Sequence, residues 1–343
     1  MKKGFVVLIA VLAIAVAGYF LALGTGSVEA MEKLNGIAYI SGHGGHLAIL
    51  NLATMKSPTD VEKDRIVITE AGSEMEGVIA GMNFEKAKKA GGSHGAALLP
   101  DEKLAVGLLD GDVVVYDLKT GKKTKPMKVG EKFCGANVGP DGNVYFEDMA
   151  NGDVYAWDPK EMKPVDKIPV GKAVCGIAWT HDDKKAYVSD MVQGVVYILD
   201  WKTKKTIKVI KNVGTFIHQL KMTPDGKQVW VAAANEFDPG LKPPTHPSQL
   251  IVISTATDKI IKRITLPKER FAHDMAFSPD GKTVLVTART YGNDSVVMVM
   301  DTKTDKIEKT VSVCYSCHGA NGIKVSIDKG SPLLCGIVVD WKK

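Results

Sequence analysis

The sequence predicts an all-β fold, a β-propeller, that follows an N-terminal hydrophobic helix. Short apolar strands ending in Asp- and Lys-rich turns recur through the chain in units of about 40 residues, which suits blades of four short strands. Turns of the Pro-Asp-Gly type recur between them, at residues 140–142, 224–226 and 279–281, and such turns join antiparallel strands. The start of the chain differs, because it is a long apolar run behind two lysines.

This N-terminal segment, residues 1–30, has the features of a signal peptide or of an uncleaved membrane anchor. No charged residue lies between Gly4 and Leu23, and about 20 apolar residues can cross a bilayer as a helix. A small-x-small cleavage site follows at residues 28–30, so both alternatives stay open. In either case we expect an exported chain, in the periplasm or on the extracytoplasmic face of the cytoplasmic membrane, with the membrane as a partner if the segment is retained.

The remaining residues, 31–343, are predicted to form a propeller of seven blades, with six or eight as alternatives. The number comes from seven copies of one apolar strand, of which VVVYDLKTGK is an example. The copies begin at His46, Val113, Val154, Val196, Leu250, Val296 and Gly336. Because the terminal units are incomplete, we expect strands from both ends of the chain to close the ring.

The composition excludes one class of partner. Charged residues make up 24% of the chain and hydrophobic residues 45%, as in ordinary globular proteins. The net charge is +5, and the lysines are scattered through turns without forming a basic stripe. We therefore expect no nucleic-acid partner.

A motif near the end of the chain, at residues 314–318, predicts a cofactor. The run Cys-Tyr-Ser-Cys-His has the spacing that attaches a c-type haem, and with the following Gly-Ala-Asn-Gly it resembles the haem-attachment segment of small bacterial class I cytochromes c. Cys314 and Cys317 would bind one haem covalently, with His318 as the proximal iron ligand. The alternative is a redox-active or zinc-binding cysteine pair, although a lone pair offers too few ligands for a closed zinc site.

A second set of residues occupies one register of the repeat, six positions before the turn of each successive unit. The set consists of His94, Cys134, Cys175, His218 and His273. This register begins the innermost strand of a blade, so we expect the five side chains to surround the mouth of the central channel. In the next unit the same count falls at Asn321, close to the predicted haem.

The distal iron ligand is expected to come from the propeller, or to be water. No Met or His follows His318, and the 25 residues that remain are too few for a cytochrome c fold. The candidate protein ligands, or members of a separate metal site at the channel mouth, are His273 and His218, then His94. Met75 and Met82, in an insertion at residues 73–92, are further candidates for the distal ligand.

Three cysteines lie outside the haem motif. Cys134 and Cys175 each precede a glycine and have two interpretations: buried small residues, or a disulfide between adjacent blades. Cys335, in an apolar strand-like run, is predicted to be a core thiol.

The blade sequences, such as SPDGKTVLV from Ser278, resemble those of YVTN-type propellers and, more loosely, the haem-d1-binding propeller of cytochrome cd1 nitrite reductase. The resemblance covers about residues 35–343 and implies the propeller fold. No cytochrome c domain precedes the propeller, which departs from the nitrite reductase pattern.

The functional hypothesis is an exported haem protein that transfers single electrons to a redox partner, either another cytochrome or a quinol-oxidising complex. The alternative is an oxidoreductase or cofactor-handling protein that holds haem d1 or a second metal at the channel mouth.

Overall fold

The computed structural model describes residues 34–42, 45–56, 65–69, 92–234, 246–267, 270–290, 295–313 and 334–342. These ranges contain strands and turns but no helix, so they contain no helix able to cross a membrane. The predicted N-terminal helix, the haem motif at 314–318, the two candidate methionines and Asn321 all lie outside the described residues.

The described strands form six antiparallel sheets of four strands each, which we number as blades in chain order. Blade 1 contains β1 (Gly36–Gly42), β2 (His46–Asn51) and β3 (Arg65–Val67). Blade 2 contains β4 (Ser93–Leu99), β5 (Lys103–Leu108), β6 (Asp112–Asp117) and β7 (Met127–Lys128). Blade 3 contains β8 (Phe133–Val138), β9 (Val144–Asp148), β10 (Asp153–Asp158) and β11 (Lys163–Pro169).

The second half of the chain repeats the pattern. Blade 4 contains β12 (Val174–Trp179), β13 (Lys185–Asp190), β14 (Val195–Asp200) and β15 (Lys205–Ile210). Blade 5 contains β16 (Ile217–Met222), β17 (Gln228–Ala233), β18 (Gln249–Ser254) and β19 (Lys259–Thr265). Blade 6 contains β20 (Arg270–Phe277), β21 (Thr283–Thr290), β22 (Ser295–Asp301) and β23 (Ile307–Ser312). The last strand, β24 (Leu334–Trp341), pairs with β1 and completes blade 1.

The propeller therefore has six blades in its described part, and the predicted seven is wrong. Six of the seven repeated strands are the third strands of their blades, β2, β6, β10, β14, β18 and β22. The seventh copy, from Gly336, belongs to β24, which is the innermost strand of blade 1. The repeat predicts a further blade there because an apolar strand followed by Asp and Lys has a similar local sequence in either position.

Closure of the ring by both ends of the chain is confirmed. β24 pairs with β1 in antiparallel register, with Ala38 opposite Val339 and Tyr39 opposite Val338. The six innermost strands, β4, β8, β12, β16, β20 and β24, each contact the next and form a closed circle. This circle surrounds the propeller axis and defines the central channel.

The apolar core is divided among the interfaces between blades. Each of six buried clusters joins two neighbouring blades. Between blades 6 and 1, for example, Leu285 and Val297 pack with Ile40 and Leu50. Because every blade is held on both flanks by apolar packing, the innermost strands are fixed well enough to present polar side chains to the channel.

Candidate functional site at the channel mouth

Each innermost strand carries a β-bulge near its beginning. In all six blades the pairing register shifts at this point. The residues at the shift include His94, Cys134, Cys175, His218 and His273. A bulge leaves a residue out of the ladder and redirects its side chain, so the predicted register corresponds to one repeated backbone irregularity.

Buried polar side chains hold the bulged segments in place. Asp148 accepts hydrogen bonds from the backbone N–H groups just before β8, and Asp190 does the same before β12. Ser41 donates to the carbonyl of His94, and Ser189 donates to the carbonyl of His218. Since buried backbone groups need partners, these bonds fix the point at which each strand enters the channel.

The five predicted residues meet, and we call them the mouth cluster. The ring Nδ1 of His94 donates to the carbonyl of Cys134, and Cys134 forms a disulfide with Cys175, their Cα atoms being 4.9 Å apart. Cys175 Sγ lies 3.7 Å from Nδ1 of His218. The rings of His218 and His273 stack at 4.1 Å between centroids, and His273 lies 5.2 Å from His94. The contacts form a closed circuit through blades 2 to 6.

Two histidines of this cluster, His94 and His218, are in the form that binds metals. Burial lowers the pKa of His94 to about 4 and that of His218 to about 3, with His94 lowering the latter further. Both imidazoles are therefore neutral at pH 7, and a neutral imidazole offers one nitrogen lone pair to a metal. Because His94 donates from Nδ1, its lone pair is on Nε2, and donation of this kind to a carbonyl is how ligand histidines are usually oriented.

In blade 1 the residue at this register position differs from Asn321, the residue that counting from the turn predicts. In β24 the register shifts between Leu334 and Ile337, so the equivalent position in blade 1 is at Cys335, next to Gly336. The count from the turn reached Asn321 because the connection from β23 to β24 is longer than the equivalent connections between other blades. By backbone position, three cysteines and three histidines thus share the register.

A second layer of polar residues lies in the channel next to the mouth cluster. We call it the polar layer, and it consists of Asn137, Glu147, Lys221 and Asp274. Asn137 donates to Glu147 Oε1 at 3.1 Å and accepts from Lys221 Nζ at 2.7 Å. Lys221 Nζ lies 3.6 Å from Asp274 Oδ1, and Asp274 Oδ2 accepts from the N–H of Ile337 at 2.9 Å. The chain of contacts spans the channel from blade 3 to blade 1.

Glycines make room for this layer. In four blades the residue after the mouth position is a glycine, and in the other two it is a larger polar residue, Gln219 or Asp274. The glycines are Gly95, Gly135, Gly176 and Gly336. A Cβ added at Gly135 would lie 2.0 Å from Glu147 Oε2 and 2.2 Å from Gln219 Nε2. The larger side chains can therefore enter the channel only because the facing strands carry no side chain there.

Burial controls the charge of the polar layer. It raises the pKa of Glu147 to about 8, against the lowering influence of Asn137 and Lys221. It also raises the pKa of Asp274, and here Lys221 and the N–H of Ile337 oppose it. Glu147 is therefore mostly protonated at pH 7, and its fully buried Oε2 has no hydrogen-bond partner within the described residues. This carboxyl can therefore exchange a proton near neutral pH.

The sequence prediction found the mouth cluster and missed most of the polar layer. Asn137 and Lys221 each stand three positions after a mouth residue, where Ala97, Ala178 and Ala276 stand in other blades. Aligning the repeats at that offset would have revealed them. A surface pocket of about 440 Å³ between blades 6 and 1, lined by Asp280 and Trp341 among others, contains none of the predicted residues.

Comparison with known proteins identifies the family. Residues 58–290 match the family described as the SMP-30/gluconolactonase/LRE-like region, which is more than half of the chain. The chain belongs to this family. Membership of this family supports the propeller fold that the blade sequences predict. These matches do not support the looser resemblance to the haem-d1-binding propeller.

No curated protein sequence matches the chain significantly. Among solved structures, hydrazine synthase from Kuenenia stuttgartiensis is similar, with a TM-score of 0.52 and 21% sequence identity over 62% of this chain. The match covers 63% of the hydrazine synthase chain, less than two thirds of its length. At this identity the likeness shows a shared fold and nothing of shared chemistry.

Proposed function

We propose that this member of the SMP-30/gluconolactonase/LRE-like family is an exported electron-transfer protein that carries one covalent c-type haem. Cys314 and Cys317 would hold the haem, and His318 would be the proximal ligand. The motif itself carries the proposal, because two cysteines and a following histidine at this spacing are what haem attachment requires. The haem, when bound, supplies a one-electron redox couple.

The topology supports a role for the mouth cluster in this function. β23 and β24 are joined by residues 314–333, so the motif is tethered between the end of blade 6 and the beginning of the innermost strand of blade 1. The bulge of β24 lies two to three residues into that strand, at the level of the mouth cluster. The tether therefore starts and ends at the face of the propeller where the three histidines converge.

His94 and His218 are in the neutral form that can coordinate a haem iron. His94 and His218 are neutral at pH 7 because burial lowers both pKa values. His218 and His273 are less deeply buried than His94, so their imidazoles are the better candidates for the distal ligand. A second imidazole in place of a methionine would lower the reduction potential.

The first test is covalent attachment. The full chain, expressed together with a cytochrome c maturation system, should keep about one haem per chain after denaturation, as measured by the pyridine haemochrome spectrum. Cys314→Ala/Cys317→Ala should lose this haem, and Cys335→Ala should keep it. Covalent haem in the double variant, or its absence in the wild type, would reject the proposal.

The second test concerns the distal ligand. His273→Ala, His218→Ala and His94→Ala should be compared with His181→Ala, which changes an exposed histidine. We expect a change from a low-spin to a high-spin spectrum in at least one of the first three variants. Spectra that are the same in all four would show that the iron takes its distal ligand from outside the mouth cluster.

A second candidate function is chemistry at the channel mouth, with haem d1 or a second metal as the cofactor. The convergence of three histidines and two cysteines favours it. Reduced protein should be mixed with small c-type cytochromes in one experiment and with nitrite in another. Rapid oxidation by cytochromes supports electron transfer. Turnover with nitrite, or hydrolysis of a sugar lactone of the kind named in the family description, would replace that proposal by an enzymatic one.

A further inference from the structure

The two cysteines of the mouth cluster and His218 lie close enough together to share one metal ion. The two Sγ atoms and a ring nitrogen of His218 are all within 4.8 Å of one another. Cys134 and Cys175 are buried, whereas His218 is half-buried. A cation would therefore reach the sulfur pair past the partly exposed imidazole.

We propose that the Cys134–Cys175 disulfide is reversible and that its reduction creates a binding site for a thiophilic cation, Zn²⁺ or Cu⁺. The ligands would be the two thiolates and the His218 imidazole. The site uses none of the residues that attach the haem, but it would share His218 with the candidate distal ligands. When it is occupied, the haem iron would have to take its distal ligand from His273 or His94.

The geometry fits after a small movement. In a tetrahedral zinc site the ligand bond lengths place two thiolate sulfurs about 3.8 Å apart and a sulfur and an imidazole nitrogen about 3.5 Å apart. Cys175 Sγ and His218 Nδ1 are already 3.7 Å apart. Once the sulfur–sulfur bond is broken, Cys134 Sγ can move away from Cys175 Sγ to the separation of about 3.8 Å that two thiolate ligands of zinc have. This movement needs no displacement of the two bulged strands.

The donor set selects the metal. Thiolate ligands favour Cu⁺ and Zn²⁺ over hard cations such as Mg²⁺ and Ca²⁺. The imidazole nitrogen of His218 completes this set, because imidazole suits both zinc and copper. Three protein ligands leave one coordination position of Zn²⁺ for water or a small molecule, whereas Cu⁺ can be satisfied by three.

The chemistry balances with a dithiol as reductant. The dithiol gives two electrons and two protons to the disulfide, so that its own thiols become a disulfide while Cys134 and Cys175 become thiols. The cation then displaces one proton from each thiol and accepts the lone pair of the imidazole. In the reverse direction a disulfide of another molecule takes two electrons from the two thiolates and becomes a dithiol, while Cys134 and Cys175 form their disulfide and release the metal. Occupancy of the site would therefore report the dithiol–disulfide balance of the surroundings.

The test measures metal content before and after reduction. Two samples of the full chain are used: the wild type as purified, and Cys314→Ala/Cys317→Ala, which lacks the other cysteine pair. Each is treated with tris(2-carboxyethyl)phosphine, then incubated with ZnSO₄ and dialysed. We expect about one Zn²⁺ per chain after reduction and almost none before it. A parallel sample with ¹¹³Cd²⁺ should give an NMR signal typical of two thiolate ligands, and a third sample tests Cu⁺.

Variants identify the ligands. Cys134→Ser/Cys175→Ser should bind no metal, and His218→Gln should bind it at least about ten-fold more weakly. His181→Gln should bind as the wild type does, and Cys335 is present in all of these chains. Circular dichroism shows in each case that the propeller is folded.

Three results would overturn the proposal: a disulfide that the phosphine cannot reduce in the folded protein, a propeller that unfolds on reduction, and unchanged binding in the double serine variant. Because the readout is metal content in chains with and without haem, its failure is distinguishable from failure of the proposed electron transfer.

Discussion

The imidazole rings of His218 and His273 stack with their centroids 4.1 Å apart and their planes 25° apart, although the two residues belong to neighbouring blades. Stacked imidazoles at this distance cannot both become charged without repulsion. His94 approaches the pair from blade 2. Protonation of the histidines at the channel mouth should therefore destabilise the folded protein.

The first prediction concerns acid. The pKa values of His94 and His218 in the folded protein, about 4 and about 3, lie below the ordinary value of 6.5. Below pH 6.5 the unfolded chain thus binds more protons than the folded protein does. As the pH falls, the free energy of unfolding therefore decreases by up to about 1.4 kcal/mol per pH unit for each of the two histidines. His218→Gln should reduce this slope between pH 6.5 and 4 in urea unfolding, and His181→Gln should not. Equal slopes in both would contradict the assigned burial.

The second prediction has the opposite sign. The pKa of Glu147 in the folded protein, about 8, lies above its ordinary value of 4.5, so the folded state binds the extra proton. The contribution of Glu147 to stability therefore decreases as the pH rises from 4.5 to 8, by up to about 1.4 kcal/mol per pH unit. Lys221 and Asp274 are the charged groups that face it.

Glu147→Gln keeps the shape of the side chain and removes its titration. We expect its free energy of unfolding, relative to the wild type, to rise from pH 5 to about pH 8 and then to level off. Glu161→Gln, at an exposed position of blade 3, is the control. If the difference between Glu147→Gln and the wild type is the same at every pH, Glu147 does not titrate in this range.

The third prediction tests the close approach of blades 2 and 3. A Cβ on Gly95 would lie 2.5 to 2.6 Å from the backbone of Gly135 and Ala136, and backbone atoms cannot move aside cheaply. Gly95→Ala should lower the free energy of unfolding by about 3 kcal/mol. Gly142→Ala has open space and only a positive φ of 81°, so it should cost about 1 kcal/mol. Equal costs in chemical denaturation would show that the strands separate more easily than the packing implies.

The fourth prediction concerns the ion pair in the channel. Lys221→Met leaves the carboxylate of Asp274, whose side chain is only 5% exposed, without its cation. We expect a loss of about 2 to 3 kcal/mol, of which Lys221→Met/Asp274→Asn should recover a large part. Lys184→Met removes a partner from an exposed pair with Asp182 and should change stability by less than about 0.5 kcal/mol. A double variant no better than the single one would indicate that Lys221 acts through Asn137 instead.

The sequence predicted the repeated fold and the convergence of five residues, because both depend on the repeat alone. Counting back from the turns placed His94 and His273 in one register without any knowledge of distance. The same count failed for blade 1, where the strand that begins at Leu334 follows a longer connection and Cys335 takes the place assigned to Asn321. Local sequence also could not distinguish the innermost strand β24 from a third strand, because Asp-Trp-Lys stands at the end of β24, at residues 340–342, and also at the end of the third strand β14, at residues 200–202.

The disulfide and the polar layer required three-dimensional information. Cys134 and Cys175 bond because adjacent bulges bring their Cα atoms to 4.9 Å, a distance that sequence separation does not give. Glu147 was missed because it lies on a second strand, β9, and reaches the channel past Gly135. Side chains that pass between strands leave no periodic signal.

The closure of blade 1 also sets an order of events during biosynthesis. β1 pairs with β24, the strand that comes after all the others, so a chain that emerges from its N-terminus waits with an open ring until residues 334–341 have appeared. The CxxCH residues at 314–318 come just before that strand. If haem is attached as we propose, the attaching enzyme would have its substrate before the ring can be sealed. Pairing of β24 with β1 would then be the last step of assembly.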